Sequence, residues 1–573
     1  MVLVRLRKAL ALAALAAILG PSCTHGTAAG PKGGHPTVRG GKATFGAENW
    51  PQCLNPLTSC NFATGFHLTI AQQVLPKLMM LDQQNEYVPS PLLTRAPSLG
   101  NGLMTASPFK ITYKLNRKAV WDDGSPITSK DIRFTWLAIL HTKGSDNPTG
   151  YDLIKDISTP DARTAVLSFK EPYAAWADLF GGGNVNGYVL KRAAFKGAKP
   201  AEPNLENELI KDIPFSGGPW KLQSWSDERA VLVRNAAYWG RKPLLDRVTF
   251  VPLTDTRKSL SALRTGKVAA IYLSEAPTAS ITGELAGSSR ARFVSGPTPY
   301  GEALWLNLKK APLDDPKVRE ALAYAVDRQS VVNTVIRVND PRAAVLQCLP
   351  PVLAVVGKWC DQTHFAKFRY SPQRSLQILS AAGWSCSTKP CTKNGEKLTI
   401  VDTVLSGAER SVATGRVIRE RAMAAGFDIQ VKENEATDLF INKMPKGDYQ
   451  MADLSLGGVA DPSQTGTYAC SQIPTESSNF AGANTSFWCN EEATRLMEEA
   501  DHEIHPKRRL QLVRRVQELQ AREVVAIPLY SVVAITAWRT DLIGGPIGEW
   551  NSAFYGTFFN MDQWSRLARS KSS

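Results

Sequence analysis

The residues whose types and spacing could do chemistry are few, and their arrangement argues for holding a molecule rather than changing it. His502, Glu503 and His505 read His-Glu-Ile-His, one residue short of the His-Glu-x-x-His spacing with which two imidazoles on one helix grip a zinc ion. No shared metal is therefore expected there. No Gly-x-Ser-x-Gly elbow presents a nucleophile, and Gly181-Gly182-Gly183 is flexible backbone with no lysine nearby to hold a phosphate. No catalysis and no resident cofactor or metal is expected.

Nine cysteines remain as candidates. Set Cys23 aside, and eight fall into close sequence pairs: Cys53 with Cys60, Cys348 with Cys360, Cys386 with Cys391, and Cys470 with Cys489. An even number behind an export signal argues for disulfides. No Cys-x-x-Cys occurs and the spacings of 7, 12, 5 and 19 repeat nothing, which argues against zinc. Sequence does not fix the connectivity; joining nearest neighbours is the simplest choice. Each such staple would tie a loop, with about 2.5 kcal/mol for 53–60 and about 3.3 kcal/mol for 470–489 in the chain-entropy picture.

The export signal is the opening segment. Arg5, Arg7 and Lys8 precede an unbroken apolar run from Ala9 to Leu19, too short at about 1.5 Å per residue to cross a hydrocarbon layer of about 30 Å. Leu19-Gly20-Pro21-Ser22-Cys23 resembles a bacterial lipobox, although Gly20 stands where an aliphatic residue is usual. Cys23 is the expected lipidation site, and Thr24 to Arg39, rich in Gly, Pro, Thr and Ala, reads as a flexible tether. With 43% apolar and 21% charged residues over 573 positions, the rest reads as a folded body of roughly three to four compact units. Formal charge is +15, of which Arg5, Arg7 and Lys8 supply three, leaving +12 on the mature chain. Such a surface suits anionic lipid or cell-wall polymer. No basic block interleaved with aromatics points to nucleic acid.

The elements that position these residues alternate between strand and helix. Lys42 to Ala47, Ile111 to Leu115, Thr164 to Phe169 and Ala230 to Arg234 read as strands. Thr128-Ser129-Lys130-Asp131 is a capping box that opens a helix through Ile132, Trp136, Leu137 and Leu140. Asp315-Pro316 and Ser371-Pro372 open two more, the second stopping at Gly383. A helix over 412–425 ends at Gly426 and feeds a strand at 427–431, an order typical of α/β domains. A helical stretch over 490–522, broken at Pro506, leads into a strand at 524–530.

Val120-Trp121-Asp122-Asp123-Gly124-Ser125-Pro126-Ile127-Thr128-Ser129-Lys130-Asp131-Ile132 resembles the signature of the peptide-binding family of ABC importer proteins, family 5 of the extracytoplasmic solute-binding proteins. Further matches follow in that family's order. They include Gly217 to Leu222, Tyr238-Trp239-Gly240, Pro243 to Arg247, Leu263 to Ala269, Leu306-Asn307-Leu308, Pro312 to Arg328, Asp461-Pro462 and Ile527 to Tyr530. Most of these read equally well as turns, caps and core; Trp121 is expected to be packing behind the Thr128 cap.

The resemblance implies an α/β, two-lobed fold of the type II periplasmic binding proteins, with an extra domain inserted in the first lobe. The expected division is 1–23 signal peptide, 24–39 tether, 40–82 first part of lobe I, and 83–211 inserted domain. Then follow 212–297 as the second part of lobe I, 298–525 as lobe II, and 526–573 as the return to lobe I. It implies a monomeric protein outside the cytoplasm, anchored by lipid to the outer face of the membrane or periplasmic. That protein would capture short peptides and deliver them to the permease of an ABC importer.

By the same resemblance the ligand meets Glu48, Asn49 and Trp50 after the first strand, and Gly457, Gly458, Val459 and Asp461 in a second loop. Tyr300 and Trp305 are further candidates for the cleft wall. Relatives that hold a peptide's amino terminus place an acid where this chain has Gly458. An unpaired buried ammonium is strongly unfavourable, so Asp461 or Glu48 must supply the charge, or the ligand has no free amino terminus. A metal chelate, haem-like compound or oligosaccharide is the alternative cargo, and a surface sensor the alternative role.

Overall fold

The alternation of Lys42, Ala43, Thr44 and Phe45 buries one side of a strand and leaves the other wet, and that strand seeds the largest sheet of the protein. The computed structural model describes residues 37–58, 60, 66–145, 149–181, 187–274, 280–352, 357–458, 460–550 and 556–567. The signal segment, Cys23, nearly all of the tether, Gly182, Gly183 and Val459 lie outside the described residues.

Ten strands form the main sheet. They are β1 (Lys42–Ala47), β2 (Trp220–Ser226), β3 (Arg229–Arg234), β4 (Arg247–Pro252), β5 (Ala270–Leu273), β6 (Ala291–Leu306), β7 (Thr399–Leu405), β8 (Asp428–Asn434), β9 (Met451–Gly457) and β10 (Ala526–Arg539). Their spatial order is β8-β7-β9-β6-β10-β5-β1-β4-β3-β2. Parallel pairing joins β1 to β4 and β5, and β7 to β8 and β9, while β6 and β10 run antiparallel between the two parallel groups.

β6 and β10 are the two segments that cross the molecule. Ala291 to Pro297 pair with Arg539 to Val533 beside β5, and Gly301 to Trp305 pair with Ser531 to Ala526 beside β9. The register slips between Pro297 and Gly301, and again between Glu302 and Ala303. The sequence reading of 524–530 as the last strand was too short. Val524 takes a left-handed conformation as the cap of the preceding helix, and the strand runs on, buried almost throughout, to Arg539.

Helices follow the expected punctuation. In α1 (Ser129–His141) the Thr128 amide donates to Asp131 Oδ2 at 2.8 Å, and a cap of this kind is worth about 1 kcal/mol. α2 (Pro316–Ala325) and α3 (Pro372–Ala381) are capped by Asp315 and Ser371, each with proline in the first turn. α4 (Glu409–Ala424) ends before Gly426, whose φ of 99° only glycine takes readily. α5 (Glu491–His502) and α6 (Pro506–Glu523) are the two pieces either side of Pro506.

Two large hydrophobic cores result. One gathers Phe45, Trp220, Phe250, Phe558 and Trp564 with the four-stranded sheet of residues 104–169 and α1. The other gathers Leu304, Leu322, Ile400, Ile418, Val516 and Ile527 around α2, α4 and α6. Trp121 is buried edge-on against Phe215 in the first core, a packing residue as its motif implied. Disulfides join Cys53–Cys60, Cys348–Cys360, Cys386–Cys391 and Cys470–Cys489, so each staple is local.

Candidate functional site

β1 ends against a rigid aromatic wall: Phe45 packs edge-on to Trp564, ring centroids 5.2 Å apart, and against Phe558 at 5.7 Å. Contacts of this kind add about 0.5–1.5 kcal/mol each beyond area burial and fix where the chain leaves the sheet. The next residues, Glu48 and Asn49, open a recess shared with Leu68, Thr69, Tyr272 and Ser274. Parallel pairing of β1 with β5 sets Tyr272 beside Ala47, so recess and sheet are built together.

Ser274 donates both its amide and its hydroxyl to Glu48 Oε2, at 2.5 and 2.6 Å, which holds the carboxylate in place at the recess. Burial pushes the Tyr272 hydroxyl well above its ordinary range, and the nearby Glu48 and Tyr300 push it further. Tyr272 is therefore a neutral hydrogen-bonding group at any physiological pH. Trp50 is turned aside: its indole N–H donates to the Ser226 carbonyl at 3.0 Å.

The second wall comes from the slipped stretch of β6. Tyr300 lies opposite Gly457 in the ladder, and a Cβ on Gly457 would stand 2.9 Å from Tyr300 Cε1, so glycine makes room for the ring. Gly458 donates its amide to the Pro299 carbonyl at 2.9 Å. Glu48, Asn49 and Tyr300 are thus drawn toward one region, with Gly457 and Gly458 stitched to its edge.

Two expected contacts sit elsewhere. Trp305 is 7% exposed, stacks on Tyr468 and donates its indole N–H to the Leu454 carbonyl at 3.2 Å, all within the second core. Asp461 is 2% exposed, and its two oxygens accept from Arg509 Nη1 and Nη2 at 2.5 and 2.6 Å. That bidentate pair engages the charge that an incoming ammonium would need. Val459 lies outside the described residues.

Further contacts join segments far apart in the chain. Leu81 packs on Ala460, Lys358 Nζ lies 2.7 Å from Glu86 Oε1, and Ala174 donates its amide to the Asp501 carbonyl at 2.8 Å. His502 Nε2 lies 3.5 Å from Glu171 Oε2, and His505 Nδ1 lies 2.8 Å from Glu503 Oε1. The two histidines that looked like a metal motif serve separate acids on either side of a helix break.

Tyr272, Ser274, Leu68 and Thr69 were not singled out from sequence. The pairing of β5 with β1 brings in the first two, and no local pattern announces a parallel partner more than 200 residues away. The apolar run at 270–273 beside the Leu263 to Ala269 motif was the available signal.

Comparisons with known proteins agree with this architecture. Residues 104–510 match the family described as bacterial extracellular solute-binding proteins, family 5 Middle. The chain is 27% identical over 457 residues to the oligopeptide-binding protein OppA of Mycobacterium tuberculosis, covering 77% of this chain and 72% of that one. Among solved structures, the periplasmic EDTA-binding protein EppA superposes with a TM-score of 0.78 at 19% identity, covering 93% of this chain and 98% of that one. The oligopeptide-binding protein AppA of Bacillus subtilis, in complex with a nonapeptide, superposes with a TM-score of 0.69 at 20% identity, covering 93% and 100%. The fold is the two-lobed type II periplasmic-binding-protein fold, and no helix among the described residues is long and apolar enough to cross a membrane. The chain belongs to the bacterial extracellular solute-binding proteins of family 5, which bind substrates for ABC transporters rather than transform them.

Proposed function

We propose that this protein captures short peptides in the crevice between its lobes and delivers them to the permease of an ABC importer. The observation that carries the reading is the meeting of Glu48, Asn49 and Tyr272 from the first lobe with Tyr300 on the crossing strand, beside Gly457 and Gly458 of the second. Two glycines at that edge add no side chain of their own, which suits an extended chain that bonds through its own amides. OppA and AppA, both described as oligopeptide-binding, support the peptide class.

Capture works by population shift. A ligand that touches both lobes favours the closed form by its differential affinity, and moving the balance from 1:99 to 99:1 takes about 5.5 kcal/mol. The permease then reads the closed form. In this proposal Cys23 carries the lipid anchor at the outer face of the membrane, the segment to Arg39 is the spacer, and the protein acts as a monomer.

One observation favours a second reading. Gly458 offers no acid and Asp461 is engaged by Arg509, so a free ammonium would have to find Glu48, which Ser274 already holds. A cargo without an amino terminus, such as the metal chelate suggested by the EDTA-binding EppA, fits that arrangement. Native mass spectrometry of gently purified protein, followed by thermal shift with peptide mixtures and with metal–EDTA complexes, separates the two. Peptide in the retained cargo and a raised melting temperature support the first. A shift with the chelate alone would replace it.

A further inference from the structure

Beneath the two crossing strands lies a group of charged side chains that ligand capture does not use. Glu302 on β6 and Tyr530 on β10 are register partners at the second slip in the ladder. Helix α4 grips both. Arg410 Nη1 lies 2.6 Å from Glu302 Oε2 and donates to the Tyr530 hydroxyl at 3.2 Å. Ser411 donates to Glu302 Oε1 at 2.9 Å, and Thr414 Oγ1 lies 2.8 Å from the Tyr530 hydroxyl.

Two more acids close on the same point from neighbouring strands, Asp402 on β7 and Asp453 on β9. Glu302, Asp402 and Asp453 are each 0% exposed. Neither aspartate finds a hydrogen-bond donor among the described residues. Asp453 lies against the Glu302 carboxyl, a contact that attracts only with a proton between them. Asp402 faces Gly415 of α4, where a Cβ would stand 3.1 Å from Asp402 Oδ2. Arg328, a buried cation from the short helix Arg328–Val331, is spent on the carbonyls of Leu346, Phe365, Phe368 and Pro528. Among the described residues these three buried carboxyls have the Arg410 guanidinium between them, and full ionisation would leave an excess of negative charge in the core.

We propose that Asp402 and Asp453, packed against the Glu302–Arg410 pair, form a proton-holding cluster whose deprotonation loosens the grip of α4 on both crossing strands, so that the set of the hinge depends on pH. The cluster keeps at least one carboxyl neutral at neutral pH. Burial, then the Glu302 charge, pushes Asp402 up to about 7. Burial, then Glu302 and Asp402, pushes Asp453 well above the usual carboxylate range against the pull of Arg410. Groups raised in this way stabilise the fold on the acid side, and the contribution is lost as pH rises through the folded-state value. The two macroscopic steps belong to the cluster and not to one residue.

Infrared spectroscopy of the intact protein at neutral pH tests the held proton directly. A protonated-carboxyl stretch is expected in the native protein, and it should weaken in Asp402→Asn or Asp453→Asn. Its absence from the native protein overturns the proposal without any variant having to fold. The hinge coupling is read by amide exchange over β10, comparing native protein and Asp402→Asn at the same mildly alkaline pH. Several-fold faster exchange in the native protein is expected. Equal exchange, together with melting temperatures that follow pH identically, would overturn the coupling.

Discussion

Arg509 and Arg410 are both buried cations of the second lobe, 6% and 7% exposed, and they keep different company. Arg509 meets one carboxylate, Asp461, through two short parallel bonds, and its remaining Nε–H reaches the Ala500 carbonyl at 2.8 Å. Arg410 meets Glu302 with Asp402 and Asp453 crowded behind it. Burial is alike in the two places, so what differs is how the surrounding acids are bonded. Asp461 is closed by its two bonds to Arg509, and the nearby Asp501 takes the Thr465 hydroxyl at 2.6 Å, whereas Asp402 and Asp453 would have to hold protons and so respond to their surroundings.

The largest test of that contrast is Arg509→Met. It strands the Asp461 charge in the core near Asp501 and the Tyr87–Asp178 pair, and a loss of about 3–5 kcal/mol in urea unfolding is expected. A loss under about 1 kcal/mol would show that water reaches the site and that the two regions differ less than their geometry implies.

Arg410→Met should cost less, roughly 2–3 kcal/mol at neutral pH, because its acids can neutralise themselves by binding protons. The deficit should grow as pH rises, and a pH-independent deficit would put Arg410 in the same class as Arg509. Asp402→Asn comes next: within about 1 kcal/mol of the native protein at neutral pH, less stable than it in acid and more stable in alkali. The same urea titration repeated across pH reads the crossing. The smallest effect belongs to an exposed pair between the lobes, Glu86 with Lys358, whose side chains are 49% and 47% exposed. Glu86→Ala should cost under about 1 kcal/mol and vanish in high salt; persistence in salt would mean that the pair is shielded in solution.

Local signals read well from sequence because their physics is local. The Thr128 and Asp131 exchange of hydrogen bonds needs three residues of spacing and nothing else, and the same holds for Asp315-Pro316 and for Gly426. Partners far apart in the chain were not legible. Asp461 reads as a turn residue ahead of Pro462 until Arg509, 48 residues on, is brought to it by α6. Trp305 looks like a cleft aromatic until Tyr468 covers its face. The acid cluster did leave a trace: Glu302, Asp402 and Asp453 are each the lone acid of a strand, and a charge at a buried strand position asks for a partner. The trace names the need and not the supplier.

The doubled crossing of β6 and β10 has a mechanical consequence. Two strands laced together along most of their length form a ribbon that is stiff to stretching and shear but compliant in torsion, and the slip at Pro297–Gly301 places the soft turn midway. The halves can swing about that axis without surrendering backbone hydrogen bonds. Groups on the axis, Tyr300 among them, would travel least, while the outer lips would sweep the longest arc. Cargo would then lose its peripheral holds before its innermost one.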